Sequence, residues 1–238
     1  YKRQSLNAGD SLILTRDPIP GMPGTVDPRS GLLSPAHIHC TLPAAFEHVR
    51  PGHRVWLDDG KIGGVIEDVA DDGALVRITH ASKKGSELSA DKGINLPDTQ
   101  LRLPALTAED LENLGFVARH ADLVGLSFVK HPDDVRTLHR ALDRLGAGHL
   151  GVVLKIETRA AFDRLPKLLL AALARRPVGV MIARGDLAVE CGYERLAEIQ
   201  EEILWVCEAA HVPVIWATAA GLSLIHISEP TRRTPISY

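Results

Sequence analysis

Cysteine is scarce in this chain. Cys40, Cys191 and Cys207 are its only three, they lie far apart, and no C-x-x-C occurs. Neither a disulfide framework nor a cysteine metal site is therefore expected, and a reducing compartment fits best. An excess of either charge is also lacking. With 27 basic and 30 acidic residues the formal net charge is -3, which argues against a nucleic-acid binder relying on bulk positive charge. Small anionic ligands stay open, because a few local groups suffice to hold them. No apolar run reaches the ~18 residues of a membrane span. No signal peptide is expected, since Tyr1-Lys2-Arg3-Gln4 leads straight towards Gly9-Asp10, and the missing initiator Met points to a fragment. What is present is the balance of a soluble globular enzyme. The 238 residues, 45% hydrophobic and 24% charged, suit one large domain or two modest ones.

The first hundred residues read as β. Short apolar runs at 12–15, 55–57, 64–69 and 74–79 are separated by Asp-Asp-Gly, Gly-Gly and Pro-Gly punctuation, which suits hairpin turns and a compact antiparallel module. Residues 17–35, rich in Pro and Gly, read as a long loop. After Leu103-Pro104 the pattern changes. Thr107 with Asp110 can cap a helix running to about His120. An apolar run at 123–129 has strand length, and Pro132 starts a helix that ends at Gly146. Further strands are expected at 151–156, 178–182 and 214–216. A helix through Leu165 and Leu168–Leu170 follows the first of these, and one marked by Leu196, Ile199, Ile203 and Cys207 precedes the last. Nearly continuous apolar strands alternating with helices predict a parallel sheet covered by helices. Strand starts roughly 28, 27 and 36 residues apart match the βα units of a TIM barrel, of which four strands are half. A doubly wound sheet gives the same local pattern.

The polar residues at strand ends carry the chemistry, because barrel active sites sit at the C-terminal ends of strands. Lys155 and Glu157 flank Ile156 and share a strand face. The next strand ends in Arg184-Gly185-Asp186, which places a second carboxylate at the matching end of a neighbour about 4.8 Å away. Two carboxylates with positions left open to water and substrate form a Mg²⁺ or Mn²⁺ arrangement. Thr218 adds a hydroxyl at the same rim. The plain alternative is an exposed Lys-Glu pair and an Asp capping a helix. Spacing alone gives a metal-plus-lysine site for an anionic ligand.

The same residues carry a resemblance. Lys155-Ile156-Glu157 and Ile182-Ala183-Arg184-Gly185-Asp186-Leu187 resemble the two active-site signatures of the pyruvate kinase family. In the same order as in that family come Asp58-Asp59-Gly60-Lys61-Ile62, Lys92-Gly93-Ile94-Asn95-Leu96-Pro97, Leu103-Pro104-Ala105-Leu106-Thr107, Ser127-Phe128-Val129 with Asp134-Val135, and Pro213-Val214-Ile215 with Ala217-Thr218. The ordered set covers about residues 50–218.

The resemblance implies an α/β fold: a partial TIM (β/α)8 barrel preceded by a mainly β lid. The lid would occupy 1–98 and barrel strands four to seven 99–221. Residues 222–238 resemble a translated sequencing adapter and are set aside. It implies transfer of a phosphoryl group between phosphoenolpyruvate and ADP, giving pyruvate and ATP, in a parent that is a homo-oligomer. The fragment alone is expected to be inactive. Glu157 and Asp186 would hold Mg²⁺ (or Mn²⁺), and Lys155 would offset charge on the phosphoryl group in flight. Arg184, Gly185 and Asp186, with Ser127, would receive the substrate. Thr218 would contact the substrate carboxylate or assist proton delivery, and Asp59 and Lys92 would meet the nucleotide. The family's potassium ligands fall before Tyr1. This chain departs from the family at Thr158, Ala188 and Ala219, where Asn, Gly and Gln are usual. Two other readings are an enolate-forming carbon–carbon lyase and a non-catalytic relative. His37 and His39 lack a third ligand nearby, Asp71-Asp72-Gly73 reads as a plain hairpin, and Arg175-Arg176 as a solvated helix end.

Overall fold

The computed structural model describes residues 4–26, 33–89, 92–99, 104–175 and 177–217. They fall into two compact units, residues 1–104 with 189–193 and residues 105–188 with 194–238.

The first unit is β. Its strands are β1 (Gln4–Leu6), β2 (Ser11–Thr15), β3 (Thr25–Val26), β4 (Leu33–Ser34), β5 (Ala36–His39), β6 (Arg54–Leu57), β7 (Ile62–Ala70), β8 (Gly73–His80), β9 (Ser86–Leu88) and β10 (Ile94–Asn95). Six of them form one sheet in the order β10-β6-β7-β8-β2-β5. The β7–β8 pair is the hairpin expected around Asp71-Asp72-Gly73. Alternation along β6 and β8 sends Val55, Leu57, Val76 and Ile78 to a core shared with Leu12 and Ile66, each at most 2% exposed.

Two expectations are corrected here. The module is not wholly antiparallel, because β2 pairs with β5 in parallel. Nor are residues 17–35 a plain loop: β3 pairs antiparallel with β4, and Met22 bridges to His37. Met22 exchanges both backbone hydrogen bonds with His37, at 3.0 Å each, which ties the described part of that Pro- and Gly-rich stretch to β5.

The second unit alternates: α1 (Ala108–His120), β11 (Leu123–Leu126), α2 (Pro132–Arg144), β12 (Gly151–Ile156), α3 (Arg159–Asp163), α4 (Leu165–Ala172), β13 (Val178–Ala183), α5 (Arg184–Cys191, of which 189–191 fall in the first unit), α6 (Leu196–Ala209) and β14 (Val214–Ala217). The four strands pair in sequence order and all in parallel. A curled parallel sheet of this kind is a partial barrel, the α/β class expected. The inner strands β12 and β13 are buried along almost their whole length, as a sheet covered on both faces requires.

Local chemistry sets the helix boundaries. Thr107 Oγ1 accepts from the Asp110 amide at 3.1 Å, and Asp110 accepts from the Thr107 amide at 2.8 Å, the reciprocal cap expected. Past the end of α2, Gly146 takes φ 66°, the left-handed residue that closes a helix. The helix expected through Leu165 is broken into α3 and α4. Pro166 has no N–H and would clash with the carbonyl four residues back, so it tolerates only the first turn of a new helix.

Candidate active site

The C-terminal rim of the four-stranded sheet brings three of the expected residues into contact. Leu126 lies opposite Leu154 in the β11–β12 register, so Ser127 and Lys155 are the next level up. Lys155 Nζ donates to Ser127 Oγ at 2.8 Å and lies 2.8 Å from Glu157 Oε1. Lys155 and Glu157 are two apart on one strand and face the same way, as alternation dictates. Glu157 is 3% exposed. A buried carboxylate needs both a counter-charge and donors for its oxygens, and it has them: Lys155 on Oε1 and the Phe128 backbone amide on Oε2 at 2.6 Å.

Phe128 was not foreseen. The strand expected over 123–129 stops at Leu126, and Phe128 takes φ 50°, a left-handed conformation rare for a bulky side chain. That turn aims its amide at Glu157. No sequence cue marks it, because such turns ordinarily carry Gly or Asn.

The β12–β13 register sets Ile156 against Ile182, which puts Glu157 level with Ala183. The chain passes from β13 into α5 with no intervening loop, so Arg184, Gly185 and Asp186 form the helix's first turn. The N-terminal end of a helix favours anions, and the Asp186 carboxylate suits that positive end. The Arg184 guanidinium stacks over the Trp216 ring at 5.9 Å. Thr218 lies outside the described residues, as do Ala219 and Arg176.

The donor set suits a hard divalent cation. Glu157 is buried with the Lys155 ammonium 2.8 Å away, and Asp186 lies in the first turn of the helix that follows the adjacent strand. Among the described residues no group of three or more His, Cys, Asp or Glu side chains could hold a metal. Thr158 has a local explanation: its hydroxyl accepts from the Ala161 amide at 3.2 Å and caps α3, a task Asn performs equally well. Ala188 is fully buried within α5.

In the β unit, Asp58, Asp59 and Gly60 take φ 51°, 54° and 84° in succession. Lys92 Nζ pairs with Asp58 Oδ1 at 3.0 Å, and Lys61 Nζ with Asp58 Oδ2 at 3.1 Å. Asp59, the carboxylate expected at the nucleotide, is the exposed member of the turn, and Asp58 is the buried one.

Comparison with known proteins bears on the whole chain. The family model described as "Pyruvate kinase, barrel domain" matches residues 8–236. A pyruvate kinase of Mycobacterium tuberculosis is 37% identical over 182 residues, 76% of this chain and 36% of that protein. One from Clostridium acetobutylicum is 31% identical over 188 residues, 79% of this chain and 38% of its own. A third, from Methylorubrum extorquens, is 31% identical over 228 residues, 95% of this chain and 42% of its own. The chain thus spans about two-fifths of the length of these curated relatives. No helix among the described residues is long and apolar enough to cross a membrane.

Proposed function

This chain belongs to the pyruvate kinase family of phosphotransferases, and on that premise we propose that its rim site takes part in moving a phosphoryl group between phosphoenolpyruvate and ADP. The observation that carries the proposal is the Lys155 ammonium, held 2.8 Å from both Ser127 Oγ and Glu157 Oε1 with its side chain 29% exposed. Here the charge is fixed yet open to a ligand.

Each residue has a task that follows from its chemistry. Lys155 offsets negative charge that shifts onto the bridging and equatorial oxygens as the phosphoryl group moves, a stabilisation greatest in the transition state. The first turn of α5, with Gly185 amides unencumbered by a side chain, receives the substrate carboxylate. Glu157 and Asp186 would hold Mg²⁺ or Mn²⁺. When bound, that ion supplies charge neutralisation and alignment of the phosphoryl oxygens. A potassium ion, the nucleotide contacts of Asp59 and Lys92, a role for Thr218 in protonating the enolate at carbon, and a homo-oligomeric, cytoplasmic parent are proposed on family resemblance alone. A carbon–carbon lyase would also use two carboxylates, but the ammonium fixed beside Glu157 favours the phosphoryl reading.

The test uses the full gene product. Glu157→Gln should abolish metal-dependent ATP formation from phosphoenolpyruvate and weaken Mn²⁺ binding followed by electron paramagnetic resonance. Lys155→Met should lower kcat by about 10²-fold or more while leaving Mn²⁺ affinity nearly unchanged. Asp72→Ala, in the β7–β8 hairpin of the β unit, serves as control. Full activity in Glu157→Gln would sink the assignment.

A further inference from the structure

We propose that Ser127 is a positioning residue for phosphoryl transfer, its hydroxyl fixing the direction of the Lys155 ammonium while the neighbouring Phe128 amide fixes the carboxylate that ammonium leans on. The inference rests on the role given to Lys155 above.

Lysine is a point charge on a flexible four-carbon stem, so an ion pair alone defines its distance from a partner and not its direction. At Lys155 the stem is partly exposed, and contact with Glu157 Oε1 would leave the ammonium free to swing about that oxygen. Ser127 Oγ, 2.8 Å away on the adjacent strand's extension, supplies a second anchor. Glu157 is itself held from the far side, its Oε2 accepting from Phe128 N at 2.6 Å. Consecutive residues thus grip both members of the pair, hydroxyl to ammonium and amide to carboxylate.

The backbone conformation needed for this is costly. With Phe128 at φ 50° the chain leaves the sheet after Leu126 and turns the amide back towards Glu157. Strain of that kind persists only where surrounding contacts over-determine it. Of the three ammonium N–H groups, two face Ser127 and Glu157, and the third is left for a substrate oxygen. With its hydroxyl on the Lys155 ammonium, Ser127 acts on that charge and not, as the family resemblance implies, on the substrate itself, so it bears on orientation during transfer.

Steady-state kinetics of the full gene product separate these effects. Ser127→Ala should lower kcat by about 10- to 100-fold, with KM for phosphoenolpyruvate and Mn²⁺ affinity changing less than about threefold. Ser127→Thr, which keeps the hydroxyl, should restore kcat to within about threefold of the parent. In a Lys155→Met background Ser127→Ala should have no further effect, because two residues acting as one unit are not additive. Should Ser127→Ala fail to fold, Ser127→Cys, similar in size and a weak acceptor, carries the same expectation. Unchanged kcat in the folded Ala or Cys variant overturns the inference, as does a further loss in the Lys155→Met background. If Lys155→Met is itself fully active, the phosphoryl reading falls and the inference falls with it. If Lys155→Met is crippled and Ser127→Ala is not, the inference fails alone.

Discussion

Asp98 takes three donors from one residue, Arg54. The guanidinium reaches Oδ2 through Nε at 2.8 Å and Oδ1 through a terminal nitrogen at 2.7 Å, and the Arg54 backbone amide reaches Oδ2 at 3.0 Å. The clamp ties the segment after β10 to the start of β6. The guanidinium hydrogen bonds hold the Asp98 carboxyl at about 2, against an ordinary 3.8. Because folding lowers this pKa, the clamp contributes fully above pH ~4 and fades as pH falls through about 2. The Asp98 side chain is a third exposed, so solvent screening limits its worth to about 1 kcal/mol. Asp98→Asn should therefore lower unfolding stability by about that much at pH 7. The difference in urea titrations should shrink towards pH 2 and vanish below it, and a difference independent of pH would contradict the clamp.

Asp58 should matter through its charge and its backbone. Burial pushes its carboxyl up, but hydrogen bonds from Lys92 and Lys61 outweigh that and leave its pKa below the ordinary value. Asp58→Asn keeps a residue tolerant of the left-handed region and loses the counter-charge to two lysines, at a cost of about 1 kcal/mol. Asp58→Ala forfeits that tolerance as well, adding about 1 kcal/mol. Thermal unfolding should rank parent above Asn above Ala. Equal costs for the two variants would show that the φ of 51° has no part in the turn's stability.

Much of the architecture was legible because local chemistry and tertiary packing agree. The β7–β8 hairpin, the Thr107–Asp110 cap and the apolar runs of β12 and β13 are each written in short stretches. What could not be read depends on distant partners. The left-handed turn at Phe128 meets Glu157, 29 residues on, and nothing in Ser-Phe-Val encodes it. The direction of β5 against β2 is a matter of topology, to which alternation is blind. Asp58 and Asp59 are identical letters, and only the turn's geometry decides which one Lys61 and Lys92 share. At the site, strand alternation correctly joined Lys155 to Glu157, whereas the Ser127 contact required a register that sequence does not give.

Cys207 is fully buried on α6, and burial pushes its thiol up to about 11. Burial raises Cys40 as well. Since the thiolate is the nucleophile, at pH 8 roughly one Cys207 in 10³ is reactive even before access is considered. Iodoacetamide followed by peptide mass spectrometry should modify Cys191, at intermediate exposure, well before the other two. Cys40 and Cys207 should label only as the chain unfolds. Rapid modification of native Cys207 would be incompatible with its packing.

The edges of the parallel sheet carry the last prediction. Among the described residues β11 pairs only with β12 and β14 only with β13. Their outer backbone groups therefore lack sheet partners within the set. Leu123, Ile215 and Trp216 on these strands are 57%, 41% and 51% exposed. Sheets that expose such edges ordinarily guard them with Lys, Pro or a bulge, and neither Leu123–Leu126 nor Val214–Ala217 contains Lys or Pro. Parallel strands are built for burial on both faces, so their sequences carry no such protection. This chain produced alone should therefore self-associate, eluting above monomer mass in size-exclusion chromatography with light scattering, and more so as concentration rises. Ile215→Lys, a charge placed on the open edge, should shift the population towards monomer. A parent chain that stays monomeric at all concentrations, with no response to Ile215→Lys, would mean these edges are covered in solution.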